Sequence, residues 1–125
     1  MSASTQATLD VASLDKQLND QVTQGDILGA FDKFYAENVT MQENSEEPTA
    51  GKAANRKREE DFVASVDQIH SVKLLRSAVN GDTSFGEWEF DATYKGGARV
   101  KLTQVAVRRW KNGQIVQERF YYNKG

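Results

Sequence analysis

From Val11 the apolar positions fall at Val11, Leu14, Leu18 and Val22, with polar residues between them. That spacing predicts a first helix with one buried stripe. Gly25 then supplies a helix stop and Asp26 an N-cap for a second helix. Its stripe reads Ile27, Ala30, Phe31, Phe34 and Tyr35. A short strand is predicted over 39–44, then a polar loop over 45–51 that holds Pro48, the one proline. A third helix is predicted over 52–66. It is heavily charged and anchored by Ala54, Phe62 and Val66.

Beyond Ile69 the pattern is that of strands alone. Asn80-Gly81 and Asn112-Gly113 each sit between strand-like runs. Asn-Gly suits a two-residue hairpin in which both turn residues take positive φ. Lys95-Gly96-Gly97 marks a third turn, so four hairpin-linked strands are expected over 69–79, 83–94, 98–110 and 114–123. In Glu87-Trp88-Glu89-Phe90-Asp91-Ala92 the even positions are apolar and the odd ones acidic. One face of this sheet is therefore a core or pocket wall. The fold class is α+β, in the order α-α-β-α-β-β-β-β: three helices packed on a curved antiparallel sheet that encloses a pocket. Residues 1–6 are expected to be disordered and 7–125 to form one domain.

Composition narrows the function. The chain has 125 residues, enough for one real core. A net charge of −2 argues against nucleic acid as a partner. No apolar run reaches the ~20 residues that span a bilayer, so no membrane partner is expected. The segment MSASTQATLD has neither a basic nor an apolar stretch of the signal-peptide kind. With no cysteine either, the expected location is the cytoplasm. His70 is the single histidine, so no metal site is expected, and no cofactor.

Two segments carry a family resemblance. Phe34-Tyr35-Ala36-Glu37-Asn38-Val39-Thr40-Met41-Gln42-Glu43-Asn44, followed by Gly51-Lys52-Ala53-Ala54, is one; Trp110-Lys111-Asn112-Gly113-Gln114-Ile115 through Tyr122 is the other. With the element order, they resemble the SnoaL-like branch of the nuclear transport factor two-like superfamily. The resemblance implies a cone whose strongly curved sheet wraps around the long helices. By strand parity the implied pocket wall carries Met41 or Glu43, Trp88, Phe90, Gln104, Ala106, Arg108, Glu118, Phe120 and Tyr122, and Tyr35 is expected to line it as well. The opposite face, with Glu87, Glu89, Thr103, Val105, Val107, Arg109, Gln117, Arg119 and Tyr121, is implied to be a homodimer interface.

The fold hosts many chemistries, so each is tested on this chain's residues. Ketosteroid isomerases of this fold use a carboxylate base with a tyrosine and a protonated aspartic acid as oxyanion hole. Glu43 falls at the base position, but Leu18 and Ala106 fall at the two donor positions. Losing one such donor costs ~10²–10³ in rate. The Asp-Arg-Asp arrangement of limonene-type epoxide hydrolases would fall on Trp88, Phe90 and Phe120, all aromatic. Phe120 also occupies the place of the acid/base aspartate of SnoaL-type cyclases. Glu43 and Glu118 remain as catalytic candidates, with Glu43 as general base in an isomerase or cyclase acting on an apolar or aromatic small molecule. Each has a plainer reading: Glu43 as a strand-end ion-pair partner, Glu118 as the partner of Arg108 or Arg56. The basic run Lys52, Arg56, Lys57, Arg58 followed by Glu59, Glu60 and Asp61 reads as a self-compensating helix surface. A non-catalytic module for an apolar ligand, or a dimeric interaction domain, is the alternative.

Overall fold

The computed structural model describes residues 10–124; the disorder expected for residues 1–6 lies outside them. Helix α1 (Val11–Thr23) begins at Asp10, whose side chain accepts from the Ala12 N–H. It ends in paired backbone bonds from Gly25 to Val22 and from Asp26 to Gln21, the Schellman arrangement. The Asp26 side chain then caps α2 (Ile27–Phe34) by accepting from Gly29 N–H.

β1 (Tyr35–Glu43) starts four residues earlier than the spacing predicts, because Tyr35 is already extended, at φ −101° and ψ 137°. Within the expected loop, the two residues of β2 (Thr49–Ala50) pair with Thr40 and Met41. α3 (Lys52–Ser65) runs directly into β3 (Val66–Asn80). β4 (Thr83–Tyr94), β5 (Arg99–Lys111) and β6 (Gln114–Tyr122) complete the sheet.

Its strand order is β2-β1-β6-β5-β4-β3. The antiparallel expectation holds for every pair except one: β1 lies parallel to β6, which makes the sheet mixed. The chain reaches β6 only after three hairpins have carried it across the sheet and back to β1. Of the turns, Asn112-Gly113 has both residues at positive φ, 52° and 81°, between the paired Lys111 and Gln114. The other Asn-Gly is shifted by one residue. Asn80 pairs with Thr83, so Gly81-Asp82 is the loop and only Gly81 has positive φ. Register shifts in β3, in β1 and between β5 and β6 bend the strands. The result is the cone of a three-helix, six-strand α+β fold.

The apolar core sits at one end of the cone, where Leu18, Phe31, Phe34, Val39, Trp110 and Ile115 are buried. Phe34 meets Trp110 edge to face at 6.3 Å, and Phe31 stacks on Tyr35 at 4.7 Å. α3 is held by a different device. Ala54, expected as its anchor, is exposed, and the neighbouring Asn55 is buried instead. The Asn55 amide donates to the carbonyls of Thr49 and Gly51, both at 2.9 Å, which ties the start of α3 to β2. Asn55→Ala strands these carbonyls, and we expect a loss of roughly 2–3 kcal/mol, read from urea denaturation.

Candidate functional site

The concave face of the sheet and the three helices enclose a cavity of about 620 Å³. Cross-strand register lays its wall out in rows. Trp88, Gln104 and Tyr122 form one row, and Ala106, Phe120 and Glu43 a second. Arg108, Glu118 and Met41 form a third. Phe90 and Leu102 continue the wall towards the mouth, and Tyr35 lines it from β1. Every sequence-predicted site residue thus borders the same space. Gly86 is needed in the second row, because a Cβ there would meet the Trp88 ring nitrogen at 2.9 Å and Leu74 at 3.2 Å.

The inner end of the cavity is a buried polar network. Arg108 Nε donates to Glu118 at 2.8 Å, and its Nη1 donates to Asp15 at 2.9 Å and Asn19 at 2.7 Å. Tyr35 Oη donates to the other Glu118 oxygen at 2.6 Å. Ser84 Oγ donates to Asp15 at 2.8 Å and accepts from Trp110 Nε1 at 2.9 Å. Burial opposes the charge of Arg108, but Glu118, Tyr35 and Asp15 outweigh it and the guanidinium stays protonated. Burial, and then the charge of Glu118, push the Tyr35 hydroxyl well above the usual phenol range. Glu118 is 1% exposed with both oxygens engaged, so it pairs with Arg108, not Arg56. Arg56 instead binds Asp32 and Glu60. Asp15 and Asn19 escaped the sequence analysis. Both are polar and lie one turn apart beside Leu18, a pairing that only Arg108 on the facing sheet explains.

Glu43 lies at the cavity rim. One of its oxygens accepts from Tyr122 Oη and the other from Arg58 at 2.7 Å. Arg58 also donates to Thr49. Burial, with the Glu43 hydrogen bond next, pushes the Tyr122 hydroxyl up to about 12. Both oxygens of this carboxylate are thus engaged by protein donors.

Glu59 is a different kind of carboxyl. It lines the cavity from α3 and makes no hydrogen bond among the described residues. Burial, and then the negative charge of Glu118, raise it from 4.5 to about 7, with Glu43 adding to the rise and Arg58 opposing it. The reading of α3 as a self-compensating surface is therefore wrong at this residue. Lys57 does pair with Asp61, and Arg56 with Glu60, at 2.8 Å each, whereas Glu59 turns inward. The signal available was the series Asn55, Glu59, Phe62, an i, i+4, i+7 stripe hidden within a charge run. On that stripe Asn55 Oδ1 is, among the described residues, the one buried side-chain atom without a hydrogen-bond partner.

No group of three or more metal-ligating side chains is assembled among the described residues, and His70 contacts Thr93 at the surface. The site is thus an aromatic-walled cavity with a saturated charge network at one end and a free carboxyl on α3. The class this defines is a small α+β cone protein with a polar-floored pocket. Residues 8–122 match the model of the SnoaL-like domain, and the chain belongs to that family.

Among solved structures, a candidate SnoaL-like polyketide cyclase from Mesorhizobium loti is 32% identical. The match covers 90% of this chain and 98% of that one, with a TM-score of 0.81. A candidate isomerase from Bacillus subtilis is 18% identical over 90% and 86% of the two chains, TM-score 0.73. A candidate hydroxylase from Streptomyces galilaeus is 16% identical over 91% and 75%, TM-score 0.75. The last two share the fold. No curated protein matches the chain.

Two outcomes follow for stability. Arg108→Met leaves Glu118 and Asp15 buried without their cation and costs about 3–5 kcal/mol, measured by urea denaturation. Glu59 holds its proton in the folded chain up to about pH 7 but releases it near 4.5 when unfolded. Between those values the folded state binds more protons, so stability falls as pH rises, and the penalty is complete above 7. Glu59→Gln is therefore expected to be neutral near pH 4 and to stabilise by ~2 kcal/mol near pH 8, read from paired thermal melts.

Proposed function

We propose that this protein is a small-molecule enzyme of the isomerase or cyclase kind, acting on an apolar or aromatic substrate, with Glu59 as the group that moves the proton. The observation that carries the reading is a cavity carboxyl with no hydrogen-bond partner, raised to about 7. A general acid or base works best when its pKa lies near the working pH. Glu43, the base suggested by family position, is bound by Tyr122 and Arg58, and its charge helps raise Glu59. Glu118 has the same supporting part from the inner end. Gln104, whose side chain is unpaired among the described residues, is a donor available to a developing oxyanion, as is the Tyr94 hydroxyl. Tyr35 is not, because its proton is given to Glu118.

We further propose a single domain over 7–125 and a cytoplasmic location, since a chain without cysteine needs no oxidising compartment. No helix among the described residues is long and apolar enough to cross a membrane. The partner we propose at the outer sheet face is a second copy of the chain. Phe85, Val105 and Tyr121 stand exposed there on three adjacent strands, with Arg119 stacked over Tyr121 at 4.7 Å. Val105→Glu at the centre of that face is expected to turn a dimer into a monomer in sedimentation equilibrium.

Proton transfer is tested in deuterated buffer with a panel of aromatic ketones and β-dicarbonyls, following exchange of the acidic C–H by NMR. Exchange should rise with pH through about 7 and fall by ~10²–10⁴ in Glu59→Gln, with a smaller loss, about tenfold, in Glu43→Gln. Equal rates in wild type and Glu59→Gln would remove Glu59 from the mechanism. No exchange above buffer across the panel would favour a non-catalytic binding module.

A further inference from the structure

The charge and hydrogen-bond inventory of the cavity is lopsided. Its described lining carries four carboxyls, Glu43, Glu59, Asp61 and Glu118, against two guanidiniums, Arg58 and Arg108, with Asp61 paired to Lys57 outside the lining. Both guanidiniums are already neutralised: Arg58 by Glu43, and Arg108 by two carboxylates, Glu118 and the buried Asp15. A ligand carboxylate or phosphate would therefore enter a field of net negative charge. The unsatisfied groups point the same way. Asn55 is 1% exposed, its amide nitrogen is spent on backbone carbonyls, and Oδ1 is left without a donor. One turn along α3, Glu59 has no hydrogen bond. Gln104 and Tyr94 can donate or accept and do not decide the sign.

The next side chain on that stripe is Phe62, whose ring lies 5.6 Å from Phe90 and 6.4 Å from Tyr94. Aromatic faces attract cations, and more so when water is excluded. A carboxyl without a hydrogen bond and an aromatic cluster thus stand side by side on one face of α3.

We propose that the ligand of this cavity carries a protonated amine. Its ammonium donates to Glu59, and its hydrocarbon body lies against Phe62, Phe90 and Trp88. This deepens the reading of the cavity as a proton-transfer site by naming the polar group of the substrate. It is tested by binding alone, so the two readings can fail separately.

The groups that face Glu59 are Glu118 from β6, Glu43 from β1 and, on its own helix, Arg56 and Arg58. Near pH 8 Glu59 is ionised while an alkylammonium keeps its proton. The experiment titrates the intact chain with three matched probes near that pH: 2-phenylethylamine, 2-phenylethanol and 3-phenylpropanoate. Calorimetry or the fluorescence of Trp88, which lines the cavity, reads the binding. The amine is expected to bind at least about tenfold tighter than the alcohol, and the carboxylate weakest of the three. In Glu59→Gln, checked for folding by its thermal melt, the amine should fall to the level of the alcohol while the alcohol is unchanged. A second arm needs no variant: near pH 5.5, where Glu59 holds its proton, the preference of the wild-type chain for the amine should shrink. Equal binding of amine and alcohol, tightest binding of the carboxylate, a preference that survives Glu59→Gln, or binding of none of the probes would each overturn the proposal. Amine preference without Glu59-dependent exchange in the preceding assay would keep this inference and discard the enzyme.

Discussion

The guanidinium of Arg108 lies 2.9 Å from Asp15 on α1 and 2.8 Å from Glu118 on β6, so one buried cation on β5 joins the first helix to the last strand. Taking a charge out of water costs several kcal/mol unless partners of the opposite sign and further hydrogen bonds replace the solvent. Here the replacement is thorough, since Asn19, Tyr35 and Ser84 complete the shells of the three ions. Such a cluster is a weaker source of stability than apolar side chains of the same volume. What it supplies is uniqueness of register. Sliding β5 by one residue would turn Arg108 to the outer face and leave two carboxylates buried together.

The same cluster sets the chemistry of the cavity. Arg108 is one cation set between two anions, so the inner end keeps a negative field. Glu59 feels that field through Glu118 and holds its proton towards neutrality. Glu43 at the rim has its own cation in Arg58 and its own donor in Tyr122. Two carboxyls bordering one space are thus pushed apart in character by their partners. One is engaged at both oxygens, and the other has no hydrogen-bond partner among the described residues. Environment, more than residue type, assigns the roles.

Much of the fold was legible in the sequence because it rests on local periodicity. Helix stripes, the Asn112-Gly113 turn and the parity of Trp88 and Phe90 each depend on a few neighbouring residues. The parallel pairing of β1 with β6 was not legible, because nothing within either segment encodes a partner about eighty positions away. The wall of the site could be read for the same reason as the strands: parity assigns a face. Its floor could not. Asp15 and Asn19 look like solvent-facing residues beside an apolar stripe until Arg108 is brought opposite them. Glu59 stands in a run of six consecutive charged residues, Arg56 to Asp61, where charge alone gives no clue to which one turns inward. Asn55 was overlooked in favour of Ala54, since hydrophobicity predicts anchors and a buried amide that binds three carbonyls is invisible to it.

This division between wall and floor bears on how the fold can change its chemistry. The strands must keep alternation and register, which fixes the positions that face the cavity, and Phe90 and Phe120 fill two of them with aromatic rings. α3 is under less constraint. It packs through Asn55 and Phe62 and leaves most of its surface in water, so a polar residue can be placed on the cavity side without breaking a core. The positions at which the family resemblance puts catalytic groups hold Leu18, Ala106 and Phe120 here, so the proton-transfer role we propose falls to that helix. Glu59 satisfies this, because it reaches the cavity from an element whose stability does not depend on its being there.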